Sequence, residues 1–245
     1  MNKILGLAVD VSMPSDLINQ RQLWLSSIFP DTEVEVHSIP YGPVFMESSF
    51  DQALAGKPIL EEVMRAEEEG FTAVSLLCLS DPFLDACRES VRIPVVGAGQ
   101  ASFLIATAVS TRTTVITINE GGLNVFSKII KSCGISESTI PSIRSIDMSI
   151  DEMNTDPARV IERLKKVGQK AIDEEKAQAL ILGCTEMGKN CQKKLFEHFN
   201  IPIIEPNTAA IAVAVSLIGM GITQSRLSFP PCKSSLEERY IREKR

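Results

Sequence analysis

One strand–helix–strand–helix unit occurs twice in this chain, and each copy turns on a cysteine. The first copy runs Ala73-Val74-Ser75-Leu76-Leu77-Cys78, passes through a helical stretch to Ile93-Pro94-Val95-Val96, and enters an Ala-rich helix at Ala101. The second runs Ala179-Leu180-Ile181-Leu182-Gly183-Cys184, reaches Ile201-Pro202-Ile203-Ile204, and enters an Ala-rich helix at Ala209. Cys to Pro is 16 residues in the first copy and 18 in the second. Short unbroken apolar runs bounded by turn signals and followed by helical patterns predict buried parallel strands. A period of about 100 residues is too long for a solenoid repeat and fits two similar lobes related by a pseudo-two-fold axis.

The rest of the chain keeps the same alternation. Strands are expected at 4–9, 33–39, 73–77, 95–97, 113–117, 143–146, 179–183 and 203–205. Helices are expected at 15–28, 58–69, 81–90, 100–109, 123–133, 156–175, 189–198 and 208–218. This is an α/β fold of two parallel-sheet lobes with a cleft between them. The expected division is residues 1–110 plus the returning helix 207–222 for the first lobe, 111–206 for the second, and a tail at 223–245 that ends in a helix. Asp156-Pro157 has the form of a helix start, a capping Asp followed by Pro at the first helical position.

Charge and composition exclude several function classes. The 245 residues carry a formal net charge of -6 and a pI near 5.1, which offers no footprint for nucleic acid or an anionic membrane. The basic residues of the tail, Arg239, Arg242, Lys244 and Arg245, are interleaved with Glu237, Glu238 and Glu243 and read as a solvated end. The longest apolar run, Ala209 to Met220, falls short of the roughly 20 residues of a membrane span. Met1 to Asp10 reads as a first strand rather than a signal peptide, so a cytoplasmic protein is expected. The six cysteines include no C-x-x-C pair, and His37 and His198 lie far from any of them, so neither a zinc site nor a disulfide framework is expected. The thiols are then free, and no metal or cofactor is called for.

In open parallel sheets ligands bind beyond the carboxyl ends of the strands, where Cys78 and Cys184 both stand. A pseudo-two-fold makes the two face each other across the cleft. Helix N-termini beside them favour thiolate and can hold an oxyanion. Two acid–base groups on opposite faces of one carbon are what stereoinversion needs: one thiolate takes the proton, the opposite thiol returns one. A lone free cysteine is usually packing, and Cys87, Cys133, Cys191 and Cys232 are read that way. Two at equivalent positions of a repeat favour catalysis.

Around these cysteines the sequence resembles the Asp/Glu/hydantoin racemase superfamily, and within it the hydantoin and allantoin racemase branch. Cys78-Leu79-Ser80-Asp81-Pro82-Phe83-Leu84-Asp85-Ala86 is similar to that branch's C-F-x-D-P-G-L-D-A. Tyr41-Gly42-Pro43 with Glu47-Ser48 is similar to its G-P-x-x-x-E-S, and Leu182-Gly183-Cys184 to its second cysteine motif. The resemblance covers about residues 4 to 220. It implies a two-lobed, cofactor-free racemase or epimerase acting through Cys78 and Cys184 on a small molecule, in a homo-oligomer. It also implies a substrate-binding set of Asp10, Ser12, Val44, Leu79, Ser80, Thr117, Thr185 and Glu186, with Thr185 binding a polar substrate group. Ser80 and Asp81 are equally candidates to cap the helix that follows them, and Asn207-Thr208 to cap the last long helix.

Four departures bear on the substrate. Asp10 stands where the branch has a neutral Asn. Cys184-Thr185-Glu186 is nearer the C-T-E of aspartate-type racemases. Gln100 replaces a Glu. Phe83 replaces a Gly and is expected to narrow the pocket. A 5-substituted hydantoin or allantoin-like ureide is the leading substrate class. An acidic amino acid, a maleate-like diacid undergoing cis–trans isomerisation, and a non-catalytic binding protein of the same fold are the alternatives.

Overall fold

The computed structural model describes residues 2–11 and 13–232. Its first sheet is built from β1 (Asn2–Ala8), β2 (Thr32–Ser38), β3 (Ala73–Leu76) and β4 (Val95–Gly97). Its second is built from β5 (Thr113–Thr117), β6 (Ser142–Ser145), β7 (Ala179–Leu182) and β8 (Ile203–Ile204). All pairings are parallel, and the spatial orders, β2-β1-β3-β4 and β6-β5-β7-β8, are the same topology twice. The inner strands β3 and β7 are buried at every residue, as their unbroken apolar runs require. They are the two strands that end at Cys78 and Cys184.

Helices α1 (Ser15–Ile28), α2 (Ser49–Glu68) and α3 (Leu84–Ser90) connect the first sheet; α5 (Gly121–Ser132), α6 (Ile150–Thr155), α7 (Pro157–Glu175) and α8 (Gly188–Phe199) connect the second. The remaining pair, α4 (Ala98–Val109) and α9 (Pro206–Gly219), follow the last strand of each sheet. Each crosses to the other lobe. α4 packs on β7 and β8 as well as on β4, α9 packs on β1, β3 and β4, and the two helices pack on each other. Their Ala-rich faces, with Ala98, Ala101 and Ala106 meeting Ala209, Ala210 and Ala214, permit that close approach within one apolar cluster. The cluster also holds Val36 and Val96 of the first sheet and Val115, Ile181 and Ile204 of the second.

A carboxylate caps each exchanged helix at the same two N–H groups. For α9 it is Glu205, the N-cap residue itself, accepting from Asn207 N at 3.0 Å and Thr208 N at 2.7 Å. Asn207 and Thr208, expected as the caps, are instead the residues being capped. For α4 the N-cap is Gly97, which has no side chain, and the carboxylate arrives from the Cys78 turn: Asp81 accepts from Gly99 N at 2.8 Å and Gln100 N at 2.7 Å. Asp81 therefore caps α4, not the adjacent α3, whose N-terminus has no side-chain cap. Burial pushes its carboxyl up to about 7 against those two N–H groups. A Cβ on Gly97 would lie 2.4 Å from the Asp81 carboxyl, and one on Gly99 2.2 Å from the Leu79 carbonyl oxygen. Both glycines exist to let this turn approach.

Two helical segments differ from the sequence expectation. α2 starts at Ser49 rather than at Pro58. Ser48 caps it by accepting from Asp51 N, and Pro58 is buried inside the helix, where a proline ring normally signals a boundary. α6, which has only 6 residues, rests on a capping box between Ser149 and Glu152. Asp156 and Pro157 start α7 as expected. The expected terminal helix falls largely at 233–245, outside the described residues.

These contacts give a stability test. Gly99→Ala forces the α4 N-terminus off the Cys78 turn and is expected to cost about 1–3 kcal/mol in urea unfolding. Asp81→Ala, by removing the cap, costs about 1–2 kcal/mol. Gly219→Ala, in open space at the end of α9, stays within about 0.5 kcal/mol of the parent.

Candidate active site

Each cysteine leaves a buried strand and opens a tight turn of the same form. Asp81 N donates to Cys78 O at 3.1 Å, and Met187 N donates to Cys184 O at 3.2 Å. In each turn the backbone N–H two residues on is directed at the sulfur: Ser80 N–H at Cys78 Sγ, and Glu186 N–H at Cys184 Sγ. Ser80 Oγ lies 3.1 Å from Cys78 Sγ. Gly183 is obligatory before the second turn, because its Cβ would lie 2.7 Å from the Ile116 carbonyl oxygen.

Both thiols line one cleft of about 670 Å³ including its open mouth, between the ends of the two sheets. Asp10, Leu79 and Ser80 reach it from the first lobe, and Thr117, Thr185 and Glu186 from the second. Of the other expected binding residues, Val44 is 58% exposed and does not line the cleft, and Ser12 lies outside the described residues. Phe83 does not narrow the cleft. It packs against Gly56 of α2, where an added Cβ would come within 2.8 Å of its ring. It holds a left-handed φ of 55°, the backbone that suits the glycine of the resembled motif.

Sequence reasoning missed Glu47 and Gln52 as lining residues from the first lobe, and Asn119, Gly121 and Gly122 from the second. Glu47 belongs to the quoted G-P-x-x-x-E-S resemblance. Gly121-Gly122 matches no phosphate-loop pattern, but a Gly pair between a strand and a helix was a legible sign of close approach. A Cβ on Gly122 would lie 2.4 Å from Thr117 Oγ1. The first turn of α5 thus borders the cleft, and its leading N–H groups have no partner within the helix. Such groups can receive a developing oxyanion.

Both thiols are held in the neutral form. Burial pushes Cys78 up to about 11, with the negative charges of Asp10 and Asp81 adding to it and Ser80 opposing. Burial likewise holds Cys184 far above the ordinary thiol range, reinforced by Glu186 and Cys78 and opposed by the Glu186 N–H and Arg21. A thiol of this kind is a weak acid and, once ionised, a strong base.

The two turns are also tied to each other. Thr185, expected to bind a polar substrate group, donates its hydroxyl to the Leu77 carbonyl oxygen at 3.1 Å, one residue before Cys78. Its own carbonyl accepts from Asn207 Nδ2 at 2.9 Å. Glu186 is paired with Arg21 of α1 at 2.8 Å. Nothing in the sequence marks Arg21, which follows from the packing of α1 alone. Cys87 and Cys191 are buried in α3 and α8 away from the cleft. Among the described residues no three His, Cys, Asp or Glu side chains gather as a metal site, and no helix is long and apolar enough to cross a membrane.

Comparison with known proteins bears on the family and the fold. The sequence pattern of the Asp/Glu/Hydantoin racemase family matches residues 21–214. A hydantoin racemase of Pseudomonas sp. (strain NS671) is 30% identical over 197 residues, 80% of this chain and 78% of that protein. Another from Paenarthrobacter aurescens is 31% identical over 186 residues, 76% of this chain and 78% of that one. The fold of an allantoin racemase from Klebsiella pneumoniae superposes with a TM-score of 0.87 over 98% of both chains at 24% identity. With a family match over most of its length and relatives at this identity, the chain belongs to the Asp/Glu/hydantoin racemase family.

Proposed function

We propose that this protein inverts the C5 carbon of a 5-substituted hydantoin or allantoin-like ureide by two-thiol proton transfer between Cys78 and Cys184. The observation that carries the reading is the pair of equivalent cysteine turns, one from each lobe, bordering a single cleft. One thiolate removes the proton from C5 and becomes a thiol. The electron pair passes to the adjacent carbonyl oxygen as an enolate. The opposite thiol gives its proton to the other face and becomes the thiolate. Carbon and oxygen return to their starting oxidation states, and the two sulfurs have exchanged protonation. The first turn of α5, whose Gly121 and Gly122 line the cleft, supplies N–H donors for the enolate oxygen.

The charge of the cleft supports a ureide over an acidic amino acid. Among its described lining residues are Asp10, Glu47 and Glu186, and there is no Lys, Arg or His. A dicarboxylate would add like charge to that lining, whereas a neutral ring adds none. C5 of a hydantoin is also far more acidic than the Cα of a free amino acid, which suits proton abstraction by a thiolate. Cys78, Cys87, Cys133, Cys184 and Cys191 carry no disulfide, which supports a reducing cytoplasmic setting for such a protein.

The test is incubation of single enantiomers of 5-substituted hydantoins, allantoin, aspartate and glutamate in D2O. Optical activity of a hydantoin or of allantoin is expected to decay with one deuterium entering per inversion. Cys78→Ser and Cys184→Ser each lower inversion by about 10²–10⁴-fold, while each retains exchange without inversion on one enantiomer, opposite for the two variants. Turnover of the amino acids alone would overturn the substrate assignment, and inversion surviving in either variant would overturn the two-thiol mechanism. Because burial raises both thiols, the thiolate fraction climbs through the neutral range. Hydantoin kcat/KM is therefore expected to rise about tenfold per pH unit between about pH 6 and 8, and a flat profile there would contradict it.

A further inference from the structure

Arg21 lies outside the cleft, on α1 of the first lobe, yet both its hydrogen-bond partners belong to the Cys184 turn of the second. Its Nη2 donates to Glu186 Oε1 at 2.8 Å and reaches the Thr185 carbonyl oxygen at 3.5 Å. Only 9% of the residue is exposed. Its Nη1 is buried with no acceptor among the described residues. A guanidinium kept in such a place costs desolvation that an apolar side chain of the same length would avoid, so packing alone does not account for it. What it does supply is a positive charge against the one carboxylate that follows Cys184 in its turn. That carboxylate's own residue also supplies the N–H that points at Cys184 Sγ.

We propose that Arg21 is a positioning residue for the Cys184 half of the site: acting through Glu186, it holds the turn that directs the Glu186 N–H at the sulfur and neutralises the carboxylate beside it. This rests on the two-thiol reading above and adds to it a residue that touches neither thiol nor substrate. The ionisable groups that bear on Cys184 are Glu186 of its own turn, Cys78 of the opposite turn and Arg21 of α1, with Glu186 and Cys78 opposing ionisation and Arg21 favouring it. The largest charges bearing on Cys78 are Asp10 and Asp81, while both hydrogen bonds of Arg21 go to the other turn. The two half-sites are thus matched in backbone but not in charge, and Arg21 acts on one of them.

The experiment is site-resolved alkylation of the full chain with iodoacetamide at several pH values, with Cys78 and Cys184 followed separately by peptide mass. Below the thiol pKa the rate follows the thiolate fraction, tenfold per pH unit. Arg21→Met is expected to slow Cys184 about tenfold at pH 9 and to leave Cys78 within about twofold. Arg21→Lys recovers most of the loss. Glu186→Gln alone speeds Cys184, and Arg21→Met with Glu186→Gln returns it close to the parent rate, because the charge to be balanced is gone. In hydantoin inversion Arg21→Met lowers kcat with KM little changed. Equal slowing of both cysteines, no change in either, or failure of Glu186→Gln to rescue would overturn the proposal. Should Arg21→Met fail to fold, Arg21→Gln, which keeps a hydrogen-bond donor and loses the charge, decides it: Cys184 slowed with Cys78 within about twofold supports the proposal, and an unchanged Cys184 rate overturns it. If the parent protein inverts no hydantoin, the functional reading falls, while the alkylation rates still decide the role of Arg21.

Discussion

The exchange of α4 and α9 between the two sheets is the constraint from which the site follows. Each helix starts at the end of its own fourth strand and spends its apolar face on the other lobe. The two sheets are therefore locked with the ends of β3 and β7 facing one cleft. Small residues make the exchange possible, since helices of Leu or Phe could not approach each other and two sheets at once. The carboxylate caps of Asp81 and Glu205 then fix where each helix begins. Asp81 does so from inside the Cys78 turn, so the geometry of that turn and the docking of α4 are one arrangement.

Much of this was written in local pattern. The strand and helix alternation, the doubled cysteine unit and the α1 boundaries at Ser15 and Ile28 follow from apolar runs and helix periodicity. The start of α2 did not, because Pro58 in mid-helix mimics a helix start, and the true signal was the weaker Ser48–Asp51 cap. Asp81 was read as capping its neighbour because local capping is the commoner use. Its partner in α4, some 18 residues on, appears only when the chain is folded. The glycines at 97 and 99 record that contact in the sequence, but only as an absence of side chain.

The site was legible to the extent that it sits on strand ends. Cys78, Cys184, Leu79, Ser80, Thr117, Thr185 and Glu186 all belong to segments leaving β3, β5 or β7 and all border the cleft. Val44 belongs to a long connection, where distance along the chain says little about direction, and it faces away. What the sequence could not disclose was how hydrogen bonds are shared out. Thr185 has the right chemistry to touch a substrate, yet its hydroxyl is committed to Leu77 across the lobes, and Arg21 carries no motif at all.

The unequal surroundings of two equivalent cysteines have a consequence for any reaction that runs through both. Cys78 is faced by Asp10 and Asp81, and Cys184 by Glu186 balanced against Arg21. Enantiomers have equal free energy, so this asymmetry has no effect on the final ratio of products. In a two-thiol reaction it divides the small ionised fraction of the resting protein instead, between a form poised for one hand of the substrate and a form poised for the other. The scarcer form must be replenished by proton exchange with solvent before its substrate is taken up. At high substrate concentration such a reaction would run its two directions at different maximal speeds, with saturation constants that differ by the same factor, and equilibrium would be preserved by a protein whose halves are not alike.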